Sequence, residues 1–268
     1  MLEPYVPLKK EVGQTPLETA EIWRATRPDL AGVPLAYAGR LDPMASGTLL
    51  VLIGEECKRQ TEYHHLDKEY EVEILFGIHS DSGDVLGIVK EVPVPTFLEL
   101  DLIHTMRGFV GNIELPYPVF SAKTVQGKPL HTWAMENRLN EITIPTRTSE
   151  IYSLQLAEFR SLSRAQVVAE SLAKIESIPK VTDVRKALGN DFRRPDVRKA
   201  WADVQESGKA ADTFNIAKIT CVCSSGTYMR TLAEIIAQQL GTNGLAFSIN
   251  RTSIGTFDKT TNSWSKQF

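Results

Sequence analysis

Three side chains in this sequence have the type and setting to do chemistry without a bound group. Asp42 lies in Ala38-Gly39-Arg40-Leu41-Asp42-Pro43-Met44-Ala45-Ser46-Gly47, a carboxylate between glycines and a proline with apolar Leu41 beside it. Tyr70 places a phenol near the start of a strand, and Arg230 places a guanidinium at the start of a helix. No serine with a histidine partner, glycine-rich phosphate loop or metal-ligand spacing accompanies them. A carboxylate supported by a phenol and an arginine suits covalent or acid–base catalysis without a cofactor. Asp-Pro also makes ordinary turns, in which Asp bonds its own backbone and Pro presets φ. A cation in a first helical turn opposes the helix dipole. Arg230 therefore calls for a compensating anion, a carboxylate or a phosphate, unless it simply points into solvent.

The elements around these residues read as a mixed chain. After Asp42, Thr48-Leu49-Leu50-Val51-Leu52-Ile53 is the continuous apolar run of a fully buried strand, ended by Gly54. Lys68 to Gly77 alternates, with Tyr70, Val72, Ile74 and Phe76 on one face and Glu69, Glu71 and Glu73 on the other. Phe214 to Cys223 alternates again through Ala217, Ile219 and Cys221. Ser224 to Thr227 turns into a helix carrying Met229, Leu232, Ala233, Ile236 and Leu240, which Gly241 is placed to end. Near the N-terminus a strand and turn lead to Thr15-Pro16-Leu17-Glu18, a capping box with proline at the first helical position, followed by Ala20 and Trp23. Asp81 to Asp84 reads as a hairpin turn leading into a strand through Val85, Ile88 and Val89, since its acids fall short of a calcium-loop ligand set. A helix is expected over Thr96–Met106 with Phe97, Leu100 and Ile103 on one face, another through Trp133, and a strand over Pro145–Leu156.

At 268 residues the chain can hold one large domain or two small ones. Cys57, Cys221 and Cys223 suggest no disulfide framework, and no apolar run or leader-like start points to a membrane. A reducing cytoplasm is the expected setting. The net charge of −3 argues mildly against a nucleic-acid binder. Phosphate affinity needs only a local basic surface, however. Arg160 to Thr213 is helix-like and rich in both signs of charge, with Lys174, Lys180, Arg185, Lys186, Arg193, Arg194, Arg198 and Lys199 among Asp183, Asp191, Asp196 and Asp203. It reads as a solvated helical insertion in preference to an RNA-contacting arm, because mixed signs dilute a positive field.

The Asp42 loop resembles the G-x-L-D-P-x-A-x-G signature of the TruB family of pseudouridine synthases. Three further blocks resemble that family in order: Lys68-Glu69-Tyr70 leading to Ser80–Gly87, Pro118-Val119-Phe120-Ser121-Ala122, and Cys223–Leu232. The resemblance implies an α+β pseudouridine-synthase fold, a mixed, mostly antiparallel sheet flanked by helices with a central catalytic cleft. It implies one catalytic domain over residues 1–268 with the insertion at about 160–213, and no full C-terminal PUA domain. The implied activity is isomerisation of uridine 55 in the tRNA T-loop. The chain would work as a monomer on the T stem-loop, with no metal, cofactor or membrane. By the same resemblance Asp42 is the catalytic aspartate, Tyr70 stacks on the target base, and Arg230 pairs with Asp42. Lys10, Tyr37, Arg40, Leu41, Lys123, Tyr228 and Leu232 would contact substrate or RNA. Two departures stand out: Tyr37 takes the place of the histidine before the signature, and Lys123 lies one place before the lysine of the S-A-x-K block, where Thr124 stands. They leave open the same chemistry on another RNA, or an RNA-binding or RNA-folding role with secondary catalysis.

Overall fold

Alternating strands and capped helices assemble here into a nine-stranded sheet with helices packed against it. The computed structural model describes residues 3–180 and 191–268; Asp183, Arg185 and Lys186 lie outside the described residues. β1 (Tyr5–Lys10) leads to α1 (Pro16–Ala25), β2 (Leu35–Ala38) and β3 (Ala45–Ile53). Short α2 (Gln60–His64) precedes β4 (Asp67–Phe76), and β5 (Ile78–Ser80) pairs with β6 (Val89–Glu91). Next come α3 (Glu99–Arg107), β7 (Gly111–Pro116), the small pair β8 (Thr124–Val125) and β9 (Lys128–Pro129), and α4 (Leu130–Met135). The second half holds β10 (Thr146–Ser163), α5 (Arg164–Ser177), α6 (Arg194–Glu206), β11 (Thr213–Cys223), α7 (Met229–Gln239), β12 (Gly244–Asp258) and β13 (Ser263–Lys266).

The sheet order is β1-β3-β12-β4-β11-β10-β7, with β2 added to β3 and β13 to β12. Its strand pairs are antiparallel except where Ile249, Asn250 and Arg251 of β12 run parallel to Ala45, Ser46 and Gly47 of β3. This is the expected mixed, mostly antiparallel α+β architecture. The parallel contact brings the start of β3, and so the Asp42 loop, against the middle of β12.

Tyr70, Val72, Ile74 and Phe76 of β4 join Ala217, Ile219, Cys221 and Cys223 of β11 in the main core, under Leu232, Ala233 and Ile236 of α7. The other face of β4 carries Glu69, Glu71 and Glu73, paired with Lys266, Lys218 and Arg160. Burying each large apolar side chain is worth about 1.5–3 kcal/mol. Exposed ion pairs contribute well under that, so the core face fixes the register. α1 has the expected capping box, Glu18 N–H to Thr15 Oγ1 at 3.1 Å and Thr15 N–H to Glu18 Oε2 at 3.3 Å. Its contact with the sheet is narrow, however: Ala20 packs with Leu49 and Val51, while Leu17 is 58% exposed.

Other expectations are corrected. α3 starts at Glu99 because Asp101 accepts a 2.7 Å hydrogen bond from the Leu98 N–H, so Leu102 and Met106 form its buried face and Leu100 is exposed. The strand after Asp84 begins only at Val89, and fully buried Val85 lies in the connecting loop. β10 extends to Ser163, whose side chain caps α5 with Gln166 as partner. Nor are α5 and α6 merely solvated. Val167, Val168, Ile175, Val197, Trp201 and Val204 enter the main core. Many of their charges are consumed in pairs such as Arg164–Glu91 and Arg198–Glu176. No described helix is long and apolar enough to cross a membrane.

Candidate active site

Asp42 sits in the loop between β2 and β3, and the fold fixes that loop from three directions. Within the loop, Ala45 N–H donates to the Asp42 carbonyl at 3.0 Å. Beneath it, Lys10 at the end of β1 donates from Nζ to the carbonyls of Ala45 at 2.5 Å, Glu11 at 3.0 Å and Pro43 at 3.4 Å. From β12, Arg251 donates Nε–H to the Thr48 carbonyl at 2.7 Å and an Nη2 proton to the Gly39 carbonyl at 3.2 Å. Gly47 explains why the second glycine stands there. Its φ is +107°, and a Cβ would meet the Arg251 carbonyl oxygen at 2.2 Å. Only a hydrogen at that position lets β3 and β12 come together.

Arg230, in the first turn of α7, supplies the pairing anticipated from its poor fit to the helix dipole. Its Nε donates to Asp42 Oδ2 at 2.8 Å, Nη1 to the Ser82 carbonyl at 2.8 Å and Nη2 to the Phe120 carbonyl at 3.2 Å. Asp84 Oδ2 lies 3.6 Å from Nε. The side chain of Arg230 is 5% exposed and that of Asp42 is 40% exposed. The pair is thus anchored inside and presents a carboxylate outward. Asp42 Oδ1 makes no hydrogen bond among the described residues. Burial works against the Arg230 charge, yet the Asp42 and Asp84 carboxylates raise its pKa overall. Burial raises the Asp84 carboxyl above its ordinary value, with Arg230 opposing.

Tyr70 lies on β4 directly across from Arg251, which in turn lies across from Gly47. The β12 arginine therefore stands between the phenol and the Asp42 loop. The ring is 9% exposed. Burial pushes the hydroxyl up to about 12, against the facing Arg251 guanidinium, so it is a neutral phenol at pH 7.

Of the expected substrate contacts, Leu41 is buried in the main core and Arg40 is exposed without an ion pair among the described residues. Tyr228 precedes α7, and Tyr117 meets it edge-on at 5.4 Å; the Lys123 ammonium lies 4.9 Å from the Tyr117 ring. Burial raises the Tyr228 hydroxyl. Leu232 is fully buried one turn beyond Tyr228. Lys10 is a correction. It was expected to contact RNA, but it is wholly buried because its ammonium is needed under the Asp42 loop. Tyr37 is half-buried, and its ring packs with Ala20, Leu49 and Val51.

Sequence reasoning passed over Asp84, Lys68 and Arg251. Asp84 looked like turn chemistry, and it does accept from the Ser82 hydroxyl at 2.7 Å and the Leu86 N–H at 2.9 Å while facing Arg230. Lys68 is 4% exposed and donates to the His64 carbonyl at 2.8 Å and to that of Leu66. Burial lowers Lys10 and Lys68 to about 8 each. Neither of these lysines, nor Arg251, makes an ion pair among the described residues. A chain of net charge −3 thus places buried positive charge beside the Asp42 loop.

A sequence model described as TruB family pseudouridylate synthase (N terminal domain) matches residues 33–172. A Bordetella avium protein named tRNA pseudouridine synthase B is 28% identical over 253 residues, covering 93% of this chain and 80% of its own length. A protein of the same name from Caldicellulosiruptor saccharolyticus is 28% identical over 250 residues, covering 93% of this chain and 66% of its own length. Among solved structures, a chain of a Cbf5-Nop10-Gar1 complex superimposes with a TM-score of 0.53 at 17% identity, covering 96% of this chain and 50% of that one. That likeness concerns the fold.

Proposed function

The chain belongs to the TruB family of pseudouridylate synthases, and on that premise we propose that it converts uridine 55 in the T stem-loop of tRNA to pseudouridine. It does so as one cytoplasmic, monomeric catalytic domain in which α5 and α6 are an insertion. The observation that carries the reading is the Asp42–Arg230 pair, an outward carboxylate held by a buried guanidinium. The reaction breaks the N1–C1′ bond, turns the uracil, joins C5 to C1′, and moves a proton from C5 to N1. No redox partner is consumed. Asp42 suits the covalent or acid–base part, because Arg230 occupies Oδ2 and leaves Oδ1 for the substrate. Arg230 gives the carboxylate a fixed, buried hydrogen-bond partner of opposite charge as RNA covers the site and removes water. An enzyme acting on a base inside folded RNA must first extrude it and stack it, and Tyr70 offers an uncharged ring for that. The buried cations at Lys10, Lys68 and Arg251 supply a local field that favours a polyanion.

The test is incubation of the purified protein with an unmodified tRNA transcript, without added metal or cofactor, followed by mapping of pseudouridine. A single product at the T-loop uridine is expected. Tight tRNA binding with no product would refute the proposed activity.

A further inference from the structure

Arg230 owes its position to two loops that have no regular structure of their own. It is held by the carbonyls of Ser82, in the turn between β5 and β6, and Phe120, in the segment after β7. Both loops are in turn gripped by Arg193, the residue that leads into α6. Arg193 forms a two-pronged ion pair with Asp81, Nη1 to Oδ2 at 2.7 Å and Nη2 to Oδ1 at 3.0 Å. The same guanidinium lies 4.2 Å over the Phe120 ring. One turn of loop further on, fully buried Trp201 of α6 donates Nε1–H to the Val85 carbonyl at 3.0 Å. Arg193 and α6 together therefore fix Asp81 and Val85, on either side of Ser82, and Phe120, whose carbonyl accepts from Nη2 of Arg230.

The local sequence supports a purpose other than helix capping. Arg193 is the residue before α6, where Ser, Thr, Asp or Asn would cap best. It caps nothing with its side chain, and it adopts a left-handed backbone, φ 56° and ψ 27°, that residues other than glycine rarely take. That conformation is maintained while the side chain reaches Asp81, 112 positions earlier in the chain. Asp81 is correspondingly committed, since its Oδ1 also accepts from the Ile88 N–H at 2.9 Å.

We propose that α6 and the residue that leads into it brace the active site, and that Arg193 is a positioning residue for Arg230, acting through Asp81 and Phe120. The proposal rests on the function assigned above for its kinetic arm only. Arg193 does not touch the reacting atoms. It holds the two carbonyls that aim the guanidinium at Asp42, and a displacement of that guanidinium moves the carboxylate with it.

The experiment compares Arg193→Ala, Arg193→Lys, Asp81→Asn and the double variant Arg193→Ala/Asp81→Asn with wild type, using an unmodified tRNA transcript. Arg198→Ala, which removes the exposed Arg198–Glu176 pair between α6 and α5, is the control. Misplacement of a catalytic group by a fraction of an ångström predicts that kcat falls about tenfold in Arg193→Ala, with KM for the tRNA within about twofold. Lysine keeps the charge but not the fork or the stacking, so Arg193→Lys recovers only part of the loss. The double variant loses no more than the worse single one, because both act on one contact. A second readout needs no RNA: solvent exchange of the Arg230 Nε–H, followed by NMR, speeds up in Arg193→Ala and stays at the wild-type rate in Arg198→Ala. Unchanged exchange, kcat within twofold of wild type, or a loss confined to KM would each overturn the proposal. A wild-type protein that makes no pseudouridine would strike the assigned function instead, and the exchange comparison would still decide whether Arg193 holds Arg230.

Discussion

Replacing Arg230 by lysine separates the charge of this residue from its shape. The guanidinium reaches Asp42 Oδ2, the Ser82 carbonyl and the Phe120 carbonyl through three different nitrogens. One ammonium on a shorter stem cannot reach all three acceptors, because they lie along the edges of a planar fork. Arg230→Lys therefore forfeits two of the three bonds. At about 1.5–3 kcal/mol for a hydrogen bond to a charged group, that is about 3–6 kcal/mol. The positive charge remains to balance Asp42 and Asp84, so the variant avoids the further cost of an unpaired buried Asp84 carboxylate and should fold. If about half of the lost energy is the part that aims Asp42, kcat falls by about 10- to 100-fold. KM for an unmodified tRNA transcript should stay within about threefold, because Arg230 is buried at 5% exposure. The assay is steady-state pseudouridine formation beside a thermal melt that confirms folding. A folded Arg230→Lys with kcat within twofold of wild type would refute the claim that the fork positions Asp42. A loss carried wholly by KM would mean that Arg230 contacts RNA directly.

Gly47→Ala should abolish the soluble fold or lower the melting temperature by more than about 10 °C, since its Cβ would collide with the Arg251 backbone and φ is +107°; a melt within 2 °C of wild type would contradict the packing argument. Lys68 gives a pH signature. Burial lowers its folded pKa to about 8, below the unfolded value near 10.4, so between these pH values the unfolded chain holds the extra proton. Its destabilising contribution is complete below pH 8 and is relieved as pH rises. Denaturant titrations should show wild type gaining about 2 kcal/mol on Lys68→Met between pH 7.5 and 10, and parallel profiles would show that the ammonium is not desolvated.

The site was legible in sequence where a local rule was visibly strained. Arg230 in a first helical turn demanded an anion, and Asp42 answers it. Thr15, Pro16 and Glu18 announced the start of α1, and the apolar run before Gly54 announced β3. The residues that stayed hidden are charged ones used inside. Lys10, Lys68 and Arg251 belong to types that mostly face solvent, and only the long-range contacts of β12 with β3 and β4 bury them together. Asp84 was masked by its own loop, where serines and glycines explain an aspartate equally well. In α6 the charges outnumber the apolar residues, so the spacing of Val197, Trp201 and Val204 was outweighed by the look of a solvated helix. Arg193 and Asp81 lie too far apart in the chain for any spacing rule to connect them.

The central claim is that Asp42 does the chemistry. Asp42→Asn keeps the shape of the side chain and removes its charge, so single-turnover pseudouridine formation on an unmodified tRNA transcript, with RNA affinity measured in parallel, tests it most directly. The expected result is a loss of about 10⁴-fold in rate with affinity within about threefold of wild type. Turnover within tenfold of wild type would contradict the account, whatever its affinity for RNA.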